Sequence, residues 1–158
     1  DNTGLRPEEL LWFFLAYFHD LAVWEDSGFQ HPDPHANNLL WSYNNDRLSI
    51  VWHDIGASQL MHAKPRPDNI EFREGIDETV SLILMAATRL QVEERIQPET
   101  HAVLTKLGMI VKSALHEKTL QVQELHKELM ATWRSSPVLA ATDEAQDKRI
   151  DKQSEKIE

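Results

Sequence analysis

The chain has 158 residues, of which 41% are hydrophobic and 27% charged, and this size and apolar content predict one folded domain. Its formal net charge of −10 repels phosphate backbones and anionic lipid headgroups, so we expect no nucleic-acid or membrane partner, and no local basic patch is evident. The chain has no cysteine, signal-peptide pattern or apolar run of about 20 residues, which excludes a disulfide scaffold and a cysteine-ligated zinc and favours a cytoplasmic location.

The first predicted element is a helix over residues 7–24. Pro7 suits the first turn of a helix, where its missing N–H group is not needed, and the two glutamates that follow complement the positive end of the helix dipole. Ser27 and Gly28 are typical of a helix end. Apolar residues at three- and four-residue spacing predict a buried face. This face consists of Leu10, Phe13, Phe14, Tyr17, Phe18 and Leu21.

A constrained loop and a small hairpin are predicted next. Residues 30–38, which we call the proline loop, contain two prolines and end in two asparagines, a composition that excludes regular helix. Short apolar runs at 39–43 and 48–52 are separated by the polar residues 44–46, which are typical of a turn. We therefore expect a β-hairpin, directly followed by the triplet 54–56.

The remainder of the folded part is predicted to be helical. Residues 57–73 show no clear period, so we expect a loop there. Apolar spacing predicts helices over 77–90, with a possible continuation to 96, over 98–115 and over about 120–133.

These elements predict a mainly α fold with a small β-hairpin, an α+β architecture that occupies residues 1–137. The remaining residues, 138–158, mix charges of both signs, and their composition cannot bury a core. We interpret them as a charged C-terminal tail.

The residues that suggest chemistry lie in the proline loop and after the hairpin. Two prolines flank Asp33 and define the direction of its carboxylate, while Asn38 and Asp54 supply hard oxygen ligands at the two ends of the hairpin. Such oxygens suit Mg²⁺, which keeps waters and takes further ligands from phosphates. One carboxylate that orients a hydroxyl and two oxygen ligands for Mg²⁺ form the minimum set for phosphoryl transfer.

The string from His31 to Asn38, with Asp54-Ile55-Gly56, resembles the catalytic loop and metal-binding triplet of the protein-kinase-like superfamily. Protein kinases carry H-R-D-x-x-x-x-N and D-F-G at these places. His35, where protein kinases usually have lysine, is similar to the small-molecule branch, the aminoglycoside and choline kinase-like phosphotransferases. The resemblance implies a kinase-like C-terminal lobe that transfers phosphate from ATP, with Mg²⁺, to a hydroxyl of a small molecule or, as the weaker option, of a protein.

The resemblance implies a chemical role for four residues. Asp33 is implied to be the catalytic base or hydroxyl-orienting carboxylate, and His35 is implied to lie near the transferred phosphate. Asn38 and Asp54 are implied to hold the Mg²⁺ that bridges the nucleotide phosphates.

Three further residues are implied to be structural. His31 is implied to brace the proline loop against the segment of Asp54, and Gly56 closes the metal-binding triplet. Asp77, near the start of a predicted helix, resembles the buried aspartate that braces the catalytic loop of this superfamily.

The chain also departs from the superfamily pattern. It has no glycine-rich phosphate loop and no strand lysine, elements that belong to an N-terminal lobe, so the N-lobe is absent from this chain. The alternative function is therefore a catalytically inactive kinase-like module for binding or oligomerisation. In that case the exposed interlobe face would bind a separate N-lobe or a second copy of the chain.

A different metal site is a further alternative for the same loop. His31, Asp33 and His35 carry the side-chain types that ligate zinc or iron. Alternating prolines favour polyproline II geometry, however, and its period of three makes these side chains diverge.

Overall fold

The computed structural model describes residues 6–31, 34–44, 47–52, 69–117 and 120–136. This part of the chain is mainly helical with a small two-stranded antiparallel sheet, which confirms the predicted secondary-structure class. The predicted tail, residues 138–158, lies outside the described residues. In chain order, the elements are α1 (Leu10–Asp26), β1 (Leu39–Asn44), β2 (Arg47–Trp52), α2 (Ile70–Val92), α3 (Pro98–Leu115) and α4 (Val122–Arg134).

Helix α1 lies at the centre of the core. A short 3₁₀ turn, Pro7–Glu9, leads into the helix, and the whole predicted apolar face is buried. The helix ends at Asp26, and Gly28 then adopts a φ of 81°, a left-handed conformation that glycine tolerates without a steric penalty. The predicted end of this helix is confirmed.

The hairpin has an inner face that packs on the core and an outer face that is exposed. In its register Leu39 pairs with Trp52, so the two outer ends of the strands lie side by side. Side chains alternate between the faces, as the pleat of a strand requires. Leu39 and Trp52 are buried against the core, whereas the next cross-strand pair, Leu40 and Val51, is 58% and 56% exposed.

Helix α2 begins earlier than the sequence predicts, at Ile70 instead of residue 77. The reason is an N-cap that the pattern analysis missed, because the side-chain Oδ1 of Asn69 accepts a hydrogen bond from the backbone N–H of Phe72 at 3.2 Å. Phe72 and Ile76 are buried, so the apolar face extends to the first turn. The prediction of a loop is therefore wrong for the last residues of 57–73.

The helices pack in two pairs around the apolar core. Helix α1 packs mainly on α4, and α2 packs mainly on α3. The carboxylate of Glu25 on α1 accepts hydrogen bonds from the backbone N–H groups of Val122 and Gln123, both at 3.1 Å, and so caps the start of α4. In the described part of the chain, no helix combines the length and the apolar character needed to cross a bilayer.

Candidate functional site

The structure describes four of the seven predicted site residues: His31, His35, Asn38 and Asp77. Asp33, Asp54 and Gly56 lie outside the described residues. The described part of the site consists of the proline-loop residues that flank Asp33, the hairpin, and the helices that contact them.

Helices α1 and α2 both hold the backbone of the proline loop. The phenol of Tyr17 on α1 donates a hydrogen bond to the carbonyl oxygen of Pro34. Thr79 on α2 accepts a hydrogen bond from the backbone N–H of Ala36 at 2.9 Å, and its hydroxyl donates to the Pro34 carbonyl at 3.3 Å. Tyr17 and Thr79 are both fully buried, so water does not compete for these bonds. The backbone directly after Asp33 is therefore fixed from two sides.

Close packing also fixes the loop against α2. A Cβ atom on Gly75 would come within 2.9 Å of two ring carbons of Pro34, closer than such atoms pack. Only glycine at this position lets the loop approach the helix so closely. The approach holds Pro34, the neighbour of Asp33 in sequence, against α2.

His31 is fully buried in an aromatic cluster. Its ring stacks on Trp24 of α1 at a centroid distance of 5.8 Å and lies 5.0 Å from the ring of Trp52, the last residue of β2. The histidine thus connects the start of the proline loop to the end of the second strand. Its packing agrees with a structural role.

Both ring nitrogens of His35 have protein partners. Nδ1 accepts a hydrogen bond from the backbone N–H of Asn37 at 3.0 Å, and Nε2 lies 3.0 Å from the carboxylate of Glu78 on α2. Because Nδ1 accepts, the ring proton belongs on Nε2, where it is donated to Glu78. In this arrangement, His35 holds the turn that leads to Asn38.

Asn38 lies at the junction of the proline loop and the hairpin. It ends the 3₁₀ turn Ala36–Asn38, and its backbone N–H donates to the carbonyl oxygen of His35 at 2.9 Å. Only 5% of the residue is exposed, an unusual burial for a polar amide. Since Leu39 pairs with Trp52, strand β2 ends beside Asn38, two residues before Asp54 in the sequence.

The prediction of a buried aspartate at position 77 is wrong. The side chain of Asp77 is 52% exposed and forms an ion pair with Lys112 of α3, whose ammonium group also donates to the hydroxyl of Ser81 at 2.6 Å. Asp77 lies on the face of α2 that meets α3, whereas Thr79, two residues further on, lies on the face that contacts the proline loop. Thr79 performs the bracing that the sequence assigned to Asp77.

The described residues contain no cluster of three or more histidine, aspartate or glutamate side chains that could hold a metal ion. His31 packs between tryptophans and His35 binds Glu78, so the two histidines face different neighbours. This separation disfavours the alternative zinc or iron site at His31, Asp33 and His35.

An apolar cleft of about 770 Å³ opens beside the proline loop. It lies between the start of α1, Trp41 on the inner face of the hairpin, and the C-terminal half of α2, and Ala36 of the proline loop forms part of its wall. Arg6, Arg89 and Arg95 also line it. These arginines form no basic patch in the sequence, because Arg6 lies more than 80 residues before Arg89 and Arg95.

Comparison with known proteins identifies no relative for this chain. No family model matches it, and neither a curated protein nor a solved structure does.

Proposed function

We propose that the chain is the C-terminal lobe of a kinase-like phosphotransferase that transfers phosphate from ATP to a hydroxyl of a small molecule. The observation that carries the proposal is the buried Asn38, held at the point where a braced loop meets a short hairpin. Asp33 precedes Asn38 by five residues, and Asp54 follows the last residue of β2 by two. The set matches the oxygen ligands and orienting carboxylate that phosphoryl transfer requires.

The residue types fit Mg²⁺ as the cofactor. An asparagine amide oxygen and a carboxylate are hard ligands, and Mg²⁺ prefers a few protein oxygens completed by waters and phosphates. Asn38 and Asp54 would hold the ion. When bound, Mg²⁺ neutralises charge on the phosphates of the nucleotide.

In the proposed reaction Asp33 orients the acceptor hydroxyl. As the hydroxyl oxygen forms its bond to the γ-phosphorus, the bond from that phosphorus to the β–γ bridging oxygen breaks and ADP leaves. Asp33 takes the hydroxyl proton and later releases it to solvent. Because a carboxylate is a much weaker base than the alkoxide it would generate, the main contribution of Asp33 is position. The contacts of Pro34 and Ala36, which hold the loop directly after Asp33, support this role.

The outer face of the hairpin supports a nucleotide site. Leu40 and Val51 form an exposed apolar pair, the second pair of the hairpin register counted from the end where Asn38 lies. An apolar floor next to a metal ligand suits a purine base whose phosphates extend towards the ion. An N-lobe, supplied by another segment or chain, would cover the opposite side of the base.

Phosphate transfer from labelled ATP tests the proposal in the natural protein that contains this chain. Asp33→Asn keeps the shape of the side chain but loses the carboxylate charge, and we expect turnover to fall by several orders of magnitude. Asn37→Ala is the matched control, because Asn37 is exposed in the same loop. Equal turnover in Asp33→Asn and the unmodified protein would refute the assignment.

The exposed pair Leu40 and Val51 also favours a second function, a non-catalytic binding or oligomerisation module. Adjacent apolar side chains that are each more than half exposed are often covered by a partner. Sedimentation of the chain with and without Leu40→Ser distinguishes the cases. A dimer that this variant abolishes supports the module, whereas a monomer in both samples counts against self-association.

A further inference from the structure

The cleft beside the proline loop has the dimensions and the lining of a small-molecule site. Its volume of about 770 Å³ lies within the range that ligand pockets usually have. The walls are mainly apolar and come from three separate elements: Leu10 and Phe13 of α1, Trp41 of β1, and Ile83 and Leu90 of α2. Phe13 and Trp41 meet edge to face at a centroid distance of 5.7 Å, which gives the cleft a rigid aromatic floor.

The polar side chains at the cleft carry a positive excess. Three arginines and one glutamate line it: Arg6, Arg89, Arg95 and Glu93. Glu93 interacts with both Arg89, at 3.2 Å, and Arg95, at 3.7 Å, so one carboxylate is shared by two guanidinium groups. Arg6 lies 3.6 Å from Glu9 and stacks over the ring of Tyr43. One glutamate cannot neutralise two arginines, and an excess of positive charge remains at this part of an otherwise acidic protein.

We propose that this cleft binds an amphipathic small molecule with an alkyl or aromatic body and one anionic group. The body would lie on Phe13 and Trp41, and the anion would meet the guanidinium groups of Arg89 and Arg95, which recognise carboxylates and phosphates through paired N–H donors. A cationic ligand is disfavoured, because these arginines would repel it.

The position of the cleft gives this ligand a role that rests on the proposed function. Ala36, three residues after Asp33 in the proline loop, forms part of the wall. A hydroxyl on the body of the bound molecule would therefore lie against the proline loop at Ala36. The acceptor of phosphate is then an anionic amphipathic alcohol, and not a cationic amino sugar or amino alcohol.

Calorimetric titration of the chain with two probes of equal chain length tests the site without any phosphate transfer. The probes are decanoate and decyltrimethylammonium, both below their micelle concentrations. We expect decanoate to bind and to shift the amide resonances of Ala36, Leu82 and Ala86, and we expect the cation to bind at least about tenfold more weakly, a difference of about 1.4 kcal/mol.

Two variants and a control locate the binding. Arg89→Glu reverses a charge on a side chain that is 83% exposed, so it leaves the core intact, and Ala86→Trp fills the cleft. Both should weaken decanoate binding about tenfold or more. Lys127→Glu makes the same change of charge at an exposed side chain of α4 and should leave the affinity unchanged.

The other outcomes overturn the inference. Equal affinity for the two probes would remove the role of the arginines, and absence of binding would remove the site. A concentration-dependent dimer that Ala86→Trp abolishes would assign the cleft to a second copy of the chain. Decanoate binding without phosphate transfer in the natural protein would leave the site intact and would refute only the proposed function.

Discussion

Gly75 of α2 and Pro34 of the proline loop lie so close together that an added Cβ atom would approach the proline ring within 2.9 Å. The contact joins the longest described helix to the residue next to Asp33. Because a proline ring is rigid, the loop itself must move if the glycine gains a methyl group. The position of the backbone directly after Asp33 thus depends on a residue without a side chain.

Gly75→Ala should therefore displace the proline loop. The gain in helix propensity of about 1 kcal/mol offsets part of the steric cost, so we expect a small change in the free energy of unfolding and a large change in the amide resonances of 34–38. Gly108→Ala on α3 is the matched control, because its Cβ would meet the flexible side chain of Leu84 instead. Equal shifts of the loop resonances in the two variants would contradict this account.

Thr79 offers a second test of the same loop. Thr79→Val keeps the shape but leaves the N–H of Ala36 without its acceptor, which should lower the free energy of unfolding by about 1–3 kcal/mol. Thr79→Ser retains the hydroxyl and should restore the hydrogen bond, at the cost of a buried methyl group. Urea unfolding measures both variants, and a Thr79→Val protein as stable as the unmodified one would show that the bond contributes little.

The pH dependence of stability should include a contribution from His126 on α4. Burial lowers its pKa from the usual 6.5, and the neighbouring His19 on α1 and Arg134 lower it further. The folded state therefore resists protonation, so stability falls as the pH falls below about 6.5 towards the lowered pKa. His126→Gln should reduce this loss in urea titrations at about pH 7.5 and about pH 5.5. The exposed His116→Gln variant serves as the control, and the same pH dependence in all three proteins would contradict the assignment.

Local patterns predict most of the fold. The apolar spacing of α1, α3 and α4 and the two runs of the hairpin extend over whole elements, and the observed elements occur where these patterns predict them. The start of α2 is missed because its signal is a single N-cap, Asn69, after a stretch without a period. The first seven residues of that helix include Phe72 and Ile76. Their burial depends on tertiary contacts, which the sequence does not show.

The sequence predicts less of the candidate site than of the fold. The sequence identifies His31, His35 and Asn38 as candidate site residues, because they occur at the spacing of the catalytic-loop motif that the chain resembles. Thr79 and Gly75 act on the loop from more than 40 positions away, and no local pattern reports such contacts. The same limit explains the wrong prediction for Asp77, because the sequence does not show which face of the helix contacts the loop and which contacts α3.

The arginines of the cleft show the same limit for charge. Arg6 precedes α1, whereas Arg89 and Arg95 lie near the end of α2, and only the fold brings them to one opening. A net charge of −10 describes the chain as a whole and conceals this local positive excess.

Paramagnetic broadening by Mn²⁺ and ATP tests the central claim most directly, because Mn²⁺ replaces Mg²⁺ at oxygen ligands and broadens nearby resonances. In the isotope-labelled chain we expect the amides of Asn38, Leu39 and Trp52 to broaden at low Mn²⁺ concentration. Asn38→Leu should abolish the effect, whereas Asn38→Asp and the exposed control Asn37→Ala should retain it. Broadening that is unchanged in Asn38→Leu, or that avoids the hairpin and appears on acidic surface positions, would contradict a metal–nucleotide site at this junction.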